Sequence, residues 1–186
     1  ETLKRYGLEA RLQAKGIRTW WRDDLEAASL ASGVPALAAI TDLADKLADS
    51  TARVVCEGAR LAVLGGDHSV AAGTWRGVAR ALRPRGATGL VWIDAHMDSH
   101  TFNTTPSGAI HGMPLAALLG HGDPGLLGDR PALLPEHVSL VGVRSFEPDE
   151  AELLQRLGVR IYFIDEVNRR GLKVVLDEVV ERAATG

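Results

Sequence analysis

The sequence predicts a single α/β domain in which helices cover both faces of a mostly parallel sheet. Short hydrophobic segments typical of buried strands alternate with helical segments of ten or more residues, which is the pattern of parallel strand–helix–strand units. The chain has 186 residues, of which 46% are hydrophobic and 24% are charged, as expected for one globular domain. The sequence contains no internal repeat, low-complexity tract or linker, so residues 1–186 are expected to form one domain.

The first third of the chain is expected to be mainly helical. Residues 3–13 have the apolar spacing of an amphipathic helix, and Gly16 is placed to end that helix as a C-cap glycine. A short strand is predicted at residues 17–21. Pro35 is typical of a helix start, and a helix is predicted over residues 36–59.

Strands and helices alternate through the rest of the chain. The predicted strands are residues 60–64, 89–93, 137–143 and 159–164, and the predicted helices are residues 70–82, 113–119, 149–157 and 172–184. In parallel sheets, ligands bind beyond the carboxyl ends of the strands. The segments that follow Leu64, Ile93 and Val143 are therefore the first candidates for a functional site.

The composition argues against several classes of protein. Lys and Arg number 21 against 24 Asp and Glu, a net charge of −3, so no basic excess attracts nucleic acid or an anionic membrane. The longest apolar runs, residues 61–64 and 90–93, are far shorter than the roughly 20 residues of a membrane span. The single cysteine, Cys56, cannot form an internal disulfide, which favours a cytoplasmic location. The chain starts at Glu1 and stops after a helix-like stretch, so we expect a fragment truncated at both ends.

Four residues with metal-binding side chains follow two of the predicted strands. His68 lies in the segment GGDHS, and Asp94, His96 and Asp98 alternate in the segment DAHMD. Alternation in an extended chain places the last three side chains on one side of the backbone. Two carboxylates this close repel each other unless a cation compensates, so the set favours a metal site.

Each of these residues has a structural alternative when it is taken singly. His68 fits a helix start at which a neighbouring Asp or Ser is the N-cap, and Asp94 or Asp98 fits an Asx turn. Carboxylates mixed with imidazole suit Mn²⁺, with Fe²⁺, Co²⁺, Ni²⁺ and Zn²⁺ as alternatives. A bridging aspartate would support two ions, but four ligands are few for two. Either the site holds one ion, or further carboxylates lie outside these 186 residues.

Three ordered motifs carry a resemblance to a known family. GGDHS, WIDAHMD and SGAIHGMP, which lie within residues 65–114, resemble the ureohydrolases, and the last motif is more similar to bacterial-type arginases than to agmatinases. The resemblance implies a three-layer α/β/α fold and two Mn²⁺ ions bound by His68, Asp94, His96 and Asp98. It implies that Asp94 and Asp98 are among the residues that bridge the ions. It also implies a homo-oligomer, either a trimer or a hexamer.

The resemblance further implies an enzymatic activity, the hydrolysis of a guanidino group by a metal-bridging hydroxide. The arginase-like motif implies that this reaction is the conversion of L-arginine to L-ornithine and urea. Asp98 would carry a proton from the bridging water, and His111 would exchange protons with solvent. For His111, the alternative is a loop histidine whose ring is bonded to a backbone carbonyl.

The same resemblance implies a set of substrate-binding residues. Ser107 is implied to bind the α-carboxylate of the substrate, and Glu147 is implied to hold its α-amino group. His100 lies where many arginases have a small polar residue in contact with the substrate carboxylate, and its role is open. Glu150 matches less closely and equally fits a helix-start carboxylate.

Two departures from the family pattern leave the function open. Ala109 stands where arginases usually have Asn, and residues 112–186 contain no S-x-D-x-D-x-x-D-P segment, which completes the metal site in the family. The fold is therefore expected to be incomplete at its C-terminus. Three hypotheses remain: an arginase, a ureohydrolase for agmatine or another guanidino compound, and an inactive truncated remnant. The remnant would bind metal weakly or serve only as an assembly partner, and it would expose a sheet edge, with poor solubility.

Overall fold

A parallel sheet lies at the centre of the fold. The computed structural model describes residues 2–28 and 35–185. Within these residues the sheet has three strands in the order β1 (Leu90–Ile93), β2 (Val138–Val143) and β3 (Arg160–Phe163), and both pairings are parallel. The register between β2 and β3 shifts around Gly142, whose φ of +93° is a conformation that glycine adopts readily.

Helices form the connections on both sides of the sheet. The described α-helices are α1 (Thr2–Arg5), α2 (Leu8–Gln13), α3 (Ala36–Cys56), α4 (Val70–Leu82), α5 (Pro114–Leu118), α6 (Pro124–Leu127), α7 (Pro148–Leu157), α8 (Ile164–Arg170) and α9 (Leu172–Ala183). Short 3-10 turns lie at Ile110–Gly112 and Pro135–His137. None of the helices in the described ranges has the length and apolar character that a membrane crossing requires.

Most of the predicted helices are present, with small changes at their ends. Helix α4 has the predicted bounds, and α3 ends at Cys56, three residues before the predicted end at residue 59. The predicted first helix is broken, because Gly7 adopts a φ of +68° between α1 and α2. The pattern did not predict α6 or α8. Both helices are short, so their apolar periodicity is weak.

Two of the predicted strands are wrong. Within the described residues, 17–21 are irregular and 60–64 form no ladder. Leu64 is 56% exposed, so this apolar segment is not buried as a core strand would be. A strand is stable only where its backbone groups pair with a neighbour, and the described part of the chain supplies no partner for 60–64.

The sheet is covered by apolar side chains on both faces. One core cluster includes β-strand residues together with side chains of α5 and α7, among them Leu90, Trp92, Leu140, Leu115, Leu118 and Leu154. The second cluster joins Val141 and Tyr162 to side chains of α8 and α9, namely Val167, Val175 and Val179. The predicted fold class is confirmed: helices flank a parallel sheet on both faces, in three layers.

Candidate metal centre

The segment that follows β1 meets the start of α4 at the carboxyl end of the sheet. The Asp94 N–H donates to the Val141 carbonyl at 3.2 Å, which keeps the chain beside β2 as it leaves the sheet. The Asp94 side chain then accepts a hydrogen bond from the His96 N–H at 3.0 Å, an Asx turn that bends the backbone. His68 lies just before α4, and its side chain reaches the same place.

His68, Asp94 and Asp98 form one tight group. His68 Nδ1 lies 2.9 Å from Asp94 Oδ2 and 2.6 Å from Asp98 Oδ2, and one ligand atom from each residue lies within 4.8 Å of the others. The Asp98 side chain is only 8% exposed, and among the described residues its Oδ2 has no well-aligned hydrogen-bond donor. An orphaned carboxylate oxygen can serve as a cation ligand. One imidazole and two carboxylates fit Mn²⁺ and related divalent ions.

The two carboxylates dominate the electrostatics of His68. Contact with Asp98 is the largest cause that raises the pKa of His68 above its ordinary value, and the charge of Asp94 raises it further. Partial burial acts in the opposite direction. A protonated imidazole and a metal ion are alternative ways to balance these carboxylates, because each places positive charge between them.

His96 lies at the rim of this group. Its Nδ1 is 3.3 Å from Asp94 Oδ1, and its side chain is 60% exposed. The backbone bends at Ala95 and His96, so the extended alternation does not continue and the three side chains do not share one side. The sequence predicted four converging ligands. The structure groups three of them and leaves His96 beside Asp94.

His100, Glu147 and Glu150 form a second cluster that joins the loop after β1 to the start of α7. His100 Nε2 lies 3.1 Å from Glu147 Oε2, and His100 Nδ1 lies 3.1 Å from Thr104 Oγ1. Glu150 accepts the backbone N–H groups of Ser99 and Glu147, each at 3.1 Å. Because these contacts satisfy the polar groups internally, the cluster is a structural tie and does not offer free metal ligands.

The two glutamates of this tie have opposite pKa shifts. The hydrogen bond with His100 is the main cause that lowers the pKa of Glu147, whereas burial is the main cause that raises the pKa of Glu150. Together they form a capping box in which each carboxylate accepts the backbone N–H of the other. The helix-start interpretation of Glu150 is therefore correct. The Glu147 side chain remains 53% exposed.

Ser107 lies in the loop between Asp98 and α5. Its side chain is exposed, and its Oγ accepts the Ala109 N–H at 3.2 Å. Gly108, between them, has a φ of +70°, which this tight turn requires and a glycine supplies without strain. The loop thus presents the Ser107 hydroxyl to solvent in a defined conformation.

His111 lies in the 3-10 turn that leads into α5. It is exposed, and within the described ranges no hydrogen bond joins its ring to the protein, so the carbonyl-bonded alternative is not seen there. His111 contributes to a lowered pKa of Asp67, although the hydrogen bond from Ser69 to Asp67 is the larger cause. Its ring is therefore accessible to water.

Arginases from several organisms are similar to this chain in sequence. A sequence model described as the arginase family matches residues 4–186. The arginase of Bacillus caldovelox is 45% identical over 147 residues, which cover 77% of this chain and 48% of that protein. The arginase of Bacillus subtilis (strain 168) is 39% identical over 140 residues, which cover 74% of this chain and 46% of that protein. The chain thus spans about half the length of these curated relatives.

Solved structures give the same result. The crystal structure of Bacillus subtilis arginase matches with a TM-score of 0.88 and 33% identity, covering 98% of this chain and 62% of that chain. The native structure of Bacillus caldovelox arginase matches with a TM-score of 0.83 and 36% identity, covering 98% of this chain and 64% of that chain. With the family pattern matched from residue 4 to residue 186 and the fold shared over nearly the whole length, the chain belongs to the arginase family.

Proposed function

We propose that the protein hydrolyses a guanidino group with the help of Mn²⁺, converting L-arginine to L-ornithine and urea. The observation that carries this proposal is the convergence of His68, Asp94 and Asp98 at the carboxyl end of a parallel sheet, in a chain of the arginase family. Because the chain spans about half the length of its relatives, the activity is proposed for the whole protein.

The residues at the carboxyl end of β1 divide the chemistry between them. His68, Asp94 and Asp98 would hold Mn²⁺, and His96 would add a ligand from the rim. A bound divalent ion supplies Lewis acidity and lowers the pKa of water, which makes a nucleophile available at neutral pH. Asp98 is the most buried carboxylate of the group and is proposed to pass on a proton, which the exposed His111 would exchange with solvent.

Substrate binding is proposed to involve the loop after β1 and the start of α7. The Ser107 hydroxyl and the Glu147 carboxylate are both exposed, and they suit an α-carboxylate and an α-amino group, respectively. His100 holds the Glu147 carboxylate at 3.1 Å and so orients it. This contact gives His100 a supporting role in substrate binding.

A second candidate is a ureohydrolase whose substrate is a guanidino compound other than arginine, such as agmatine. The observation that favours it is Ala109, because a methyl group cannot donate to a substrate carboxylate. A hydrogen bond to a charged group contributes about 1.5–3 kcal/mol, so its loss weakens arginine binding and leaves agmatine, which lacks the carboxylate, unaffected.

We also propose that residues 1–186 belong to one α/β domain of a cytoplasmic homo-oligomer, a trimer or a hexamer. Support for one domain comes from the single sheet with helices on both faces. Sedimentation of the purified protein would measure the oligomeric state. A monomer at all concentrations would contradict the homo-oligomer.

Urea release tests the proposed activity. The protein is loaded with Mn²⁺ and supplied with L-arginine or agmatine in separate assays, and kcat/KM is measured for each. We expect arginine to be preferred, and Asp98→Asn to lower the rate by at least about 100-fold, more than the loss of a supporting residue costs. His137→Asn is the matched control, because that histidine lies outside the metal group and its ring is hydrogen-bonded to Thr185.

The outcomes separate the candidates. Preference for agmatine would favour the second candidate over the first. A Mn²⁺-loaded protein that releases urea from neither substrate, nor from any other guanidino compound, would contradict both and leave the remnant hypothesis.

A further inference from the structure

The indole ring of Trp92 lies directly against the imidazole ring of His68. The ring centroids are 4.3 Å apart and the ring planes differ by 28°, which is a stacked arrangement. Trp92 is in β1, where it is 3% exposed and belongs to the larger core cluster. A ring fixed in the core thus contacts the ring of a proposed metal ligand.

His68 needs such a support, because its own surroundings leave the ring plane free. It lies before α4 in a segment without regular secondary structure, and its side chain is 39% exposed. Asp94 and Asp98 both attract Nδ1, but a contact at one atom does not fix rotation of the ring. Contact with the face of a large buried ring fixes the orientation of the imidazole, because tilting the imidazole would separate the two ring surfaces.

The sequence at the end of β1 supplies both residues of this arrangement. Trp92 lies in β1 and Asp94 directly follows that strand, so one short segment supplies both the ring that contacts His68 and a carboxylate beside it. Trp92 pairs with Leu140 in the parallel register, which fixes the height of the indole relative to the carboxyl end of the sheet.

One detail of Trp92 argues against packing as its only role. Among the described residues, the buried Trp92 Nε1 has no hydrogen-bond partner. A buried N–H without a partner is unfavourable, and an aliphatic side chain would fill the core without that penalty. The aromatic face is the property that an aliphatic residue cannot replace.

We propose that Trp92 is a positioning residue for the metal site: its indole face holds the His68 imidazole so that Nδ1 stays 2.9 Å from Asp94 Oδ2 and 2.6 Å from Asp98 Oδ2. The inference rests on the metal site of the proposed function, and it is independent of which guanidino compound is the substrate. An aromatic pair of this kind is worth about a three- to tenfold change in the affinity of the site for its ion.

The test compares Trp92→Phe, which keeps an aromatic face, with Trp92→Leu, which keeps an apolar side chain and removes the face. The affinity for Mn²⁺ is measured by calorimetric titration, and the Tm is measured with excess chelator. We expect Trp92→Phe to bind Mn²⁺ within about twofold of the parent protein, and Trp92→Leu to bind it about three- to tenfold more weakly. The control is Val179→Ala, which removes core volume from the cluster on the other face of the sheet and is expected to lower the Tm without lowering Mn²⁺ affinity.

A spectroscopic measurement detects the stack itself. In the chelator-treated protein, the His68 ring protons should show upfield NMR shifts from the indole ring current, and these shifts should disappear in Trp92→Leu. The proposal is overturned if Trp92→Leu retains the parent affinity, or if Val179→Ala loses as much affinity as Trp92→Leu. A parent protein that binds no Mn²⁺ would overturn the metal site and the proposal together, whereas the first two results overturn the proposal alone.

Discussion

Asp98 combines an unusual backbone conformation with a buried charge. Its φ of +49° makes it the non-glycine residue with a left-handed backbone in the described chain, a conformation that Asp and Asn tolerate better than other side chains. The same residue places Oδ2 2.6 Å from His68 Nδ1. Backbone strain that is retained beside clustered charges is typical of a functional position.

Asp98→Asn separates the backbone requirement from the charge requirement. Asn tolerates the left-handed conformation, and the variant carries one fewer negative charge beside Asp94, so its Tm with excess chelator should equal or exceed that of the parent protein. Mn²⁺ at about 100 times its dissociation constant should stabilise the parent protein by about 2.7 kcal/mol and should leave the variant unchanged. Differential scanning calorimetry with and without Mn²⁺ measures both effects.

Asp129→Asn is the control for this prediction, because Asp129 is an exposed aspartate outside the group. Equal stabilisation of Asp98→Asn and Asp129→Asn by Mn²⁺ would show that Asp98 is not a ligand.

Ala109 offers a residue-scale test of substrate recognition. Its backbone, with φ −73° and ψ 118°, accommodates an ordinary side chain, so Ala109→Asn should fold normally. The new amide restores a donor for a substrate carboxylate, and we expect KM for L-arginine to fall by about tenfold or more while KM for agmatine stays constant. Ala109→Leu adds similar bulk without a donor, and a similar fall in KM for that variant would contradict the prediction.

At the scale of elements, helices α3 and α4 pack closely because α4 has glycines where it contacts α3. Gly73 and Gly77 lie one turn apart on α4, and a Cβ at either position would overlap backbone atoms of α3. At Gly77 the overlap involves the Thr51 hydroxyl and the Ala48 carbonyl. This close approach holds α4, and His68 just before it, against the rest of the domain.

Gly77→Ala should therefore destabilise the protein, although alanine is the better helix former. The two helices must separate to admit the methyl group, which costs about 1–3 kcal/mol of the free energy of unfolding. Urea denaturation measures the change. Gly66→Ala is the matched control, because a Cβ there meets no atom within 4 Å. Equal stability of the two variants would contradict the close-packing argument.

The edge of the sheet at β3 is fastened to α8 and α9 by a charge network. Arg170 pairs with Glu166 and Glu178, and the Tyr162 hydroxyl donates to Glu178 at 3.1 Å. The hydrogen bond with Arg170 is the main cause that lowers the pKa of Glu178. The folded-state pKa lies below the unfolded one, so the stabilisation is complete above the unfolded pKa and is lost as the pH falls through the folded pKa.

Arg170→Gln should reveal this pH dependence. We expect the Tm of the variant to lie below that of the parent protein at about pH 6, and the gap to narrow at about pH 3, where the glutamates are protonated in both proteins. Lys173→Gln, which breaks the fully exposed pair with Asp177, should change the Tm less at pH 6. A gap that stays constant from pH 6 to pH 3 would rule out the network as its cause.

At the scale of the whole molecule, both outer strands of the sheet, β1 and β3, lack a further strand within the described residues. Within the described residues, β1 pairs with β2 and has no strand on its other side. Ile93, at the end of β1, is 69% exposed. An unpaired strand with an exposed apolar side chain is a site for association between chains.

Ile93→Lys should reduce self-association of the 186-residue chain, because a charged side chain opposes edge-to-edge pairing. Light scattering across a concentration series would measure the effect. Val180→Lys changes another apolar residue, 59% exposed, on helix α9, and is expected to leave association unchanged. The same improvement in both variants would point to net charge in place of the sheet edge.

The fold class and the family resemblance follow from the amino-acid sequence alone. Hydrophobic periodicity is a local property, so it identified α3, α4, α7 and α9 and all three strands of the sheet to within a few residues. The ordered motifs identified the ureohydrolase resemblance. The helix-start reading of Glu150 was also available, because Glu147-Pro148 followed by Glu150 is a local N-terminal signal.

Strand pairing and the convergence of side chains at the metal site depend on contacts between distant segments, which only the folded structure reveals. Residues 60–64 have a strand-like composition, yet a strand exists only where another backbone satisfies its hydrogen bonds, and composition does not record the neighbour. The sequence predicted both His68 and His96 as metal ligands. In the structure, the turn at Asp94 places His96 at the rim of the group, whereas His68, just before α4, contacts both carboxylates. The contact of His68 with Trp92, 24 positions away, depends on packing between elements, which no local pattern encodes.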